Sequence, residues 1–319
     1  MLSEVNRPPS QDPHFCTVCQ RKVPEFESGP GGRPGVVCPH CGSLDRHRIM
    51  AIVAQMLIEK VPPGSLVLDI APAGALSKLL HTTSGRPYVS IDFDPDADGR
   101  LVDAQASVTQ LPIRTGSAGF ILCSHVLEHV SDDRLAMAEL ARVLGSGSSA
   151  LIQVPRRKGG PTDEDLTLTA EGRLERYGQA DHVRLYGDDF EERLMNAGLQ
   201  VTSTSYTRLV PAPFLSVIGI TSDHELWVAT TDRNPRPLVD SDSAIRLLSR
   251  SLLAAIPGDD SGVGGGIDEL EDQLRQARSE ATTWRSRYER LRNRPVVKAG
   301  SAIKGVMTGL LARAKRILP

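Results

Sequence analysis

The segment Val67-Leu68-Asp69-Ile70-Ala71-Pro72-Ala73-Gly74 joins a short apolar run to a pattern of helical spacing. A strand that leads directly into a helix puts its carboxyl end where doubly wound folds bind ligands. Further along the chain, Ser90-Ile91-Asp92 ends the next apolar run with a carboxylate. An acid there can accept hydrogen bonds from both ribose hydroxyls of a nucleoside. The two segments therefore predict a nucleoside-binding edge of an α/β sheet.

Short apolar runs and helical patterns alternate on both sides of this segment. The runs are 66–70, 88–91, 120–123 and 150–154, and the helical patterns are 46–59, 74–80, 132–144 and 188–197. Such alternation predicts βαβ units and a parallel sheet. Two further runs, 199–206 and 225–230, have only a loop between them, which predicts an antiparallel pair at one edge of the sheet.

Four of the five cysteines form two C-x2-C pairs. They are Cys16, Cys19, Cys38 and Cys41. Thiolates suit tetrahedral zinc, and four protein ligands leave no open position, so residues 14–45 are predicted to be a ribbon around a structural zinc. Alternatives are four unrelated thiols, or ligation by the adjacent His14 or His40. The remaining thiol, Cys123, is predicted to be a small buried apolar residue of a central strand.

Five segments, taken together, resemble the successive motifs of class I methyltransferases, in a subgroup that carries an N-terminal ribbon. They are CPHCGSLDRHR at 38–48, LPI at 111–113, FILCSHVLEHV at 120–130, ELARVL at 139–144 and YGQADHVRLYG at 177–187. The resemblance implies that residues 46–231 form a doubly wound, seven-stranded, Rossmann-like α/β sheet. It also implies the cofactor S-adenosylmethionine.

The same resemblance assigns cofactor contacts residue by residue. The implied contacts are Asp69, Ala71, Ala73, Asp92, Ser107, Val108 and Ser124. In the family, the first glycine-rich turn cradles the methionine end of the cofactor and the acid after the second strand holds the ribose. The residues before the LPI block flank the adenine, and the strand before HVLEH lines the donor pocket.

Three departures from the family pattern support a second interpretation. Alanine occupies the glycine positions 71, 73 and 75, and we expect each Cβ to crowd the cofactor and to keep φ negative. Ser107 replaces the acid that meets the adenine amine, and Ala118-Gly119 replaces the usual Phe-Asp. The alternative is thus a non-catalytic scaffold with a methyltransferase fold that has lost its cofactor.

Methyl transfer from a sulfonium mainly needs alignment and exclusion of water, and a general base helps when the acceptor is a hydroxyl. The candidates for chemistry are His125, His129, Asp181 and His182. A carboxylate, imidazole and guanidinium at 181–184 suit an anionic or hydroxylic acceptor, so we expect a small molecule or glycan and O-methylation. The alternatives are a loop-ordering network at 181–184 and structural roles for His125, Glu128 and His129. Residues 46–48 are expected to form a solvated basic helix face.

The pattern changes at both ends of the chain. Residues 1–13 are predicted to be disordered, 232–266 to be a linker with a short helix at 243–256, 267–294 to be a coiled coil and 295–319 to be a basic amphipathic helix. The coiled coil implies a second copy or a partner helix. The cations of 296–319 suit an anionic membrane surface, and the alternative is a solvated or docked helix.

Composition argues against some functions. A formal net charge of −2 and an aromatic fraction of 4% argue against nucleic-acid modification. The apolar runs fall short of the ~18 residues that a membrane span requires. The polar, proline-rich start of the chain is unlike a secretory signal. We therefore expect a cytoplasmic protein, peripheral to the inner face of the membrane.

Overall fold

The strand–helix alternation of the sequence appears as eleven strands and eight helices among the described residues. The computed structural model describes residues 14–96, 102–232 and 239–254. The strands are β1 (His14–Cys16), β2 (Arg21–Val23), β3 (Leu66–Ile70), β4 (Tyr88–Asp92), β5 (Ala104–Gln105), β6 (Ala118–Ser124), β7 (Leu144–Gln153), β8 (Asp163–Glu164), β9 (Arg184–Leu185), β10 (Gln200–Ser205) and β11 (Glu225–Thr230). The helices are α1 (Asp45–Lys60), α2 (Gly74–Thr83), α3 (Asp133–Val143), α4 (Ala170–Tyr177), α5 (Phe190–Asn196), α6 (Tyr206–Leu209), α7 (Ala212–Val217) and α8 (Ser241–Ala254).

Seven strands form one sheet in the order β10-β11-β7-β6-β3-β4-β5. β3 to β7 are parallel, and β11 is antiparallel to both of its neighbours. The doubly wound seven-stranded sheet is therefore confirmed. The chain runs outward from β3 to β5 and then returns to the other side of β3 with β6. Because ligands bind at such a switch point, the carboxyl ends of β3 and β6 mark the site.

Helices cover both faces of the sheet, which explains why its central strands are continuous apolar runs. β6 is buried from Ala118 to Cys123. Leu68 and Ile121 belong to a core that also contains apolar residues of α3 and α5. α1 lies against β6 and β7, and α2 and α8 pack beside it.

Arg48 of α1 joins the N-terminal ribbon to the rest of the fold. Its side chain is fully buried. Its Nε donates to the Ile218 carbonyl at 2.6 Å and its Nη1 donates to the Val36 carbonyl at 3.0 Å. The guanidinium also lies 3.7 Å from the centre of the Phe26 ring. The expectation of a solvated face at 46–48 is thus wrong for Arg48, because main-chain carbonyls and an aromatic ring replace its water.

Several elements were not predicted from sequence. Helices α6 and α7 lie where only a loop was expected, and both are too short to show a helical period. Helix α4 buries only Tyr177 among its residues, so it has no apolar stripe to detect. The predictions for 1–13, 267–294 and 295–319 and for the end of the linker lie outside the described residues. Within the described ranges, no helix is long and apolar enough to cross a bilayer.

Candidate active site

Two cavities open at the carboxyl edge of the sheet. The β4 cavity, of about 710 Å³, is lined by residues that include Asp92, Ser107 and Val108. The ribbon cavity, of about 900 Å³, lies between the cysteine ribbon and α2. Its lining residues include Ser43, His47, Asp69, Ala73 and Ser124. Ile70, Ala71 and His125 line both cavities and so form their shared wall.

Two residues of this shared wall have left-handed backbones. Ala71 has φ 55° and His125 has φ 54°, and Gln20 is the one other non-glycine residue with positive φ in the ranges described. The Ala71 N–H donates to Ile91 O of β4, and the His125 N–H donates to Gln153 O of β7, each at 2.8 Å. The neighbouring strands thus hold both residues in a conformation that costs about 1–2 kcal/mol.

The expectation that alanine keeps φ negative in the first turn is therefore wrong for Ala71. The sheet hydrogen bond fixes the direction in which the chain leaves β3, and the turn into α2 then requires positive φ. Strained residues of this kind cluster at functional sites.

The residues implied as cofactor contacts divide between the two cavities. Asp92 ends β4, is 7% exposed and accepts a hydrogen bond from the Asp94 N–H at 3.0 Å. Ser107 and Val108 follow β5 and line the same β4 cavity. Asp69 accepts a hydrogen bond from the Tyr88 hydroxyl at 2.7 Å and lines the ribbon cavity.

Glu139 and Arg142 were missed as contributors to the site. Glu139 Oε2 accepts a hydrogen bond from the Leu111 N–H at 2.8 Å. Arg142 donates to the carbonyls of Leu111 and Ile113 at 3.0 and 2.9 Å. The hydrogen bond from Arg142 holds the pKa of Glu139 below its ordinary value. This pair fixes the loop that follows Ser107, and its sequence signal was the i,i+3 spacing in the ELARVL block.

The HVLEH segment brings the candidate catalytic side chains into one cluster. His125 Nδ1 lies 3.0 Å from Glu128 Oε1. His129 Nδ1 lies 3.1 Å from Asp181 Oδ2. The rings of His129 and His182 are 4.8 Å apart, edge to face. His125, His129 and His182 therefore lie around Glu128, and Asp181 joins the cluster through His129.

Two members of this cluster, Glu128 and His182, are almost completely buried. Glu128 is 0% exposed and His182 is 3% exposed. Burial lowers the pKa of His182, so its neutral imidazole is favoured. Of the four candidates, His125, His129 and Asp181 line the β4 cavity.

Arg184 orders the HVLEH loop instead of facing an acceptor. Its side chain is 1% exposed, and it donates to the carbonyls of Leu127 and Ser131 at 2.8 and 2.9 Å and to that of Val130. Its Nε also donates to Glu164 Oε2 at 3.1 Å. The expected anion-binding role of the guanidinium is therefore wrong, because buried main-chain carbonyls take up its donors.

The four ribbon cysteines form a compact cluster. One ligand atom from each lies within 4.8 Å of the others. Burial and the neighbouring sulfurs raise the pKa of Cys19, and burial raises that of Cys38 to about 11. A bound cation would be needed to hold all four cysteines as thiolates. His14 Nδ1 instead lies 3.2 Å from the Ser216 carbonyl oxygen, and Cys123 is buried in β6 as predicted.

A family model described as a methyltransferase domain matches residues 43–204, about half of the chain. The chain belongs to this methyltransferase family. Membership confirms the resemblance to class I S-adenosylmethionine-dependent methyltransferases, and the family implies that cofactor. The match begins at Ser43, after both cysteine pairs, so the methyltransferase assignment rests on the α/β part of the chain.

Individual relatives cover only parts of this methyltransferase. An uncharacterised methyltransferase of Mycobacterium sp. strain KMS is 32% identical over an alignment of 117 residues. The match covers 34% of this chain and 46% of the relative. This chain thus spans about half the length of the curated relatives it matches.

Solved methyltransferases are more distant in sequence. Geranyl diphosphate C-methyltransferase of Streptomyces coelicolor A3(2) is 12% identical, over 58% of this chain and 80% of that one, with a TM-score of 0.40. Phosphoethanolamine N-methyltransferase 2 of Haemonchus contortus is 14% identical, over 60% and 54%, with a TM-score of 0.40.

Proposed function

We propose that this methyltransferase transfers a methyl group from S-adenosylmethionine to a hydroxyl of a small-molecule or glycan-type acceptor. The observation that carries the proposal is the position of His125. It lies on the wall shared by the β4 and ribbon cavities, and its Nδ1 is held by the buried carboxylate of Glu128. An imidazole oriented by a carboxylate at the junction of two pockets suits a general base between donor and acceptor.

The β4 cavity suits the adenosine part of the cofactor. Its volume is within the range of ligand pockets, roughly 300–1,000 Å³. Asp92 can accept hydrogen bonds from ribose hydroxyls, and Val108 offers an apolar wall for a base. When bound, the cofactor supplies an electrophilic methyl group on a sulfonium.

The remaining proposed contacts, Asp69, Ala71, Ala73 and Ser124, line the ribbon cavity beside the first turn. This adjoining position suits the amino-acid end of the cofactor and the entry of an acceptor. Arg46 and Lys78 bring cations to that cavity. Such a lining suits a hydroxylated or anionic acceptor.

Each candidate catalytic residue has a distinct role in this proposal. His125 accepts the acceptor hydroxyl proton at Nε2, since Nδ1 is engaged with Glu128. Glu128 is a positioning residue that fixes the ring and stabilises its protonated form. His129, whose Nδ1 lies 3.1 Å from Asp181 Oδ2, is the second imidazole on the β4 cavity. His182 packs behind it as a neutral ring.

Cys16, Cys19, Cys38 and Cys41 are proposed to hold a structural zinc. Four buried or half-buried sulfurs within one coordination sphere fit a closed tetrahedral site. The cysteine-bearing turn that contains Cys41 also lines the ribbon cavity. Loss of zinc should therefore disorder one wall of the proposed acceptor site.

The test is calorimetric titration of S-adenosylmethionine into the full-length, zinc-loaded protein. Asp92→Asn should weaken binding about tenfold to hundredfold, because a hydrogen bond to a charged acceptor contributes ~1.5–3 kcal/mol. The matched control is Asp96→Asn, an exposed carboxylate on the same loop, which should bind as the unaltered protein does. Equal affinity of both variants would contradict the proposed cofactor site.

A second candidate function is a non-catalytic methyltransferase-fold scaffold. The Cβ atoms of Ala71 and Ala73 favour it, since they occupy the turn where the family places glycine. A folded, zinc-loaded protein that binds no S-adenosylmethionine would support this scaffold. Tethering through the coiled coil of 267–294 and membrane contact through 296–319 are further proposals from sequence.

A further inference from the structure

Glu128, His129 and His182 place three metal-ligating side chains around one point. Glu128 and His129 belong to the turn after β6, and His182 precedes β9. One ligand atom from each lies within 4.8 Å of the other two. This set is distinct from the four ribbon cysteines, and none of the functions proposed above requires it to bind a metal.

Two buried polar atoms of this set lack a hydrogen-bond partner among the described residues. They are Glu128 Oε2 and His182 Nδ1. Both side chains are almost completely buried, at 0% and 3% exposed. Buried polar atoms without partners are rare because their desolvation is not compensated. A cation between the carboxylate and the imidazole would satisfy both atoms at once.

The surroundings hold these donors in place. Asp181 engages His129 at Nδ1, which leaves Nε2 as the nitrogen that can bind a metal. A carboxylate behind a ligating histidine fixes the tautomer and the ring orientation. The Val183 N–H donates to the Glu128 carbonyl at 2.9 Å, so the two segments that supply the ligands are bonded to each other. Arg184 also holds the turn that contains Glu128 and His129, because its guanidinium donates to the Leu127 carbonyl.

The geometry points to a binding site for one divalent transition-metal ion, held by Glu128, His129 and His182. Two imidazoles and one carboxylate suit zinc, cobalt, iron or manganese, and three protein ligands leave coordination positions open. His129 lines the β4 cavity, so the open positions adjoin that cavity. There they can bind water. Metal binding does not depend on the proposed methyl transfer.

The test uses the full-length protein, freed of metal and reloaded with one equivalent of zinc to fill the cysteine cluster. Cobalt(II) is then titrated in the absence of S-adenosylmethionine, and bound metal is counted by mass spectrometry. We expect one cobalt per chain, with visible absorption bands of nitrogen and oxygen ligands and without thiolate charge-transfer bands. Cobalt that binds with thiolate bands, or no bound cobalt, would overturn the inference.

Two variants identify the ligands. His182→Gln should abolish stoichiometric cobalt binding while the zinc content stays at one. Asp181→Asn keeps all three ligands and changes an exposed residue, so its folding should be unaffected, and it should weaken cobalt binding about tenfold to hundredfold. Glu175→Gln, an exposed carboxylate of α4, is the control. Cobalt affinity that is unchanged in both site variants would assign the ion to another place and refute the site.

Failure of this inference and failure of the proposed function give different results. Loss of the metal site would leave calorimetric binding of S-adenosylmethionine and its dependence on Asp92 intact. A chain that binds cobalt but no S-adenosylmethionine would retain the metal site and lose the proposed enzyme.

Discussion

Ala71 and His125 have nearly the same backbone conformation at the ends of two adjacent parallel strands. Their φ angles are 55° and 54°, and both N–H groups bond to the next strand. Their side chains differ completely, since one ends at Cβ and the other is an imidazole held by Glu128. The fold therefore imposes the same strain at both points. At β6 the strained residue places an imidazole in the shared wall, whereas at β3 a glycine would relieve the strain without loss of a polar side chain.

The largest expected effect separates the two positions by activity. His125→Gln should lower kcat for methyl transfer about 10²–10⁴-fold, the usual contribution of a general base. Cofactor affinity should stay within twofold (about 0.4 kcal/mol) of the unaltered protein. Transfer of a radiolabelled methyl group to the best acceptor from a panel of hydroxylated sugars measures kcat. Calorimetry measures the cofactor affinity. His224→Gln, an exposed histidine outside both cavities, is the control; equal rates for the two variants would remove His125 from the chemistry.

The second effect concerns what holds the turn after β6. Arg184→Met removes a buried guanidinium that donates to the carbonyls of Leu127 and Ser131. The free energy of unfolding in urea should fall by about 3–5 kcal/mol, as when one partner of a buried charged network is removed. Arg134→Met replaces an exposed side chain that makes no hydrogen bond or ion pair with the described part of the chain, so it should change this free energy by less than about 0.5 kcal/mol. A small effect of the Arg184 variant would mean that the turn is held by its own local contacts.

The third effect concerns His47, one of the three histidines that line the ribbon cavity. His47 Nδ1 accepts a hydrogen bond from the Leu44 N–H at 3.2 Å, and burial lowers its pKa from 6.5 to about 3. Between these values the unfolded chain binds the extra proton, so stability falls as pH falls from 6.5 toward 3. The slope for this group is up to about 1.4 kcal/mol per pH unit.

The measurement is urea unfolding at several pH values. His47→Asn keeps an acceptor for the Leu44 N–H but cannot be protonated, so its stability should depend less on pH below 6.5. A variant that loses stability as steeply as the unaltered protein would show that His47 does not supply this dependence.

The smallest effect tests the strain at β3. Ala71→Gly should raise the free energy of unfolding by about 0.5–1 kcal/mol, because the relief of positive φ exceeds the entropy that glycine adds to the unfolded chain. Ala75→Gly, inside α2, should lower it by a similar amount. Thermal and urea unfolding measure both. A destabilised Ala71→Gly variant would mean that the alanine methyl contributes packing that outweighs its strain.

The predictions that rested on residues close together in sequence agree with the structure. The run from Leu66 to Ile70 predicted β3, the carboxylate of Asp92 was placed at the end of β4, and the cysteine spacing predicted one cluster. Local pattern carries these features because strand burial and knuckle turns depend on nearby residues. The same reasoning failed for Arg48 and Arg184. Their partners are main-chain carbonyls far along the chain, and a charge pattern does not show which carbonyls will be buried nearby.

The sequence by itself determined the order of the main sheet strands and of the long helices between them, and the residue types at the edge of the sheet. Apolar periodicity and fixed motif spacing encode these because they follow from local geometry. Only the tertiary structure decided that Ala71 would take positive φ and that His182 would lie beside His129 from a segment more than fifty residues away. Those outcomes depend on sheet hydrogen bonds and burial between distant segments, which no single stretch of the chain specifies.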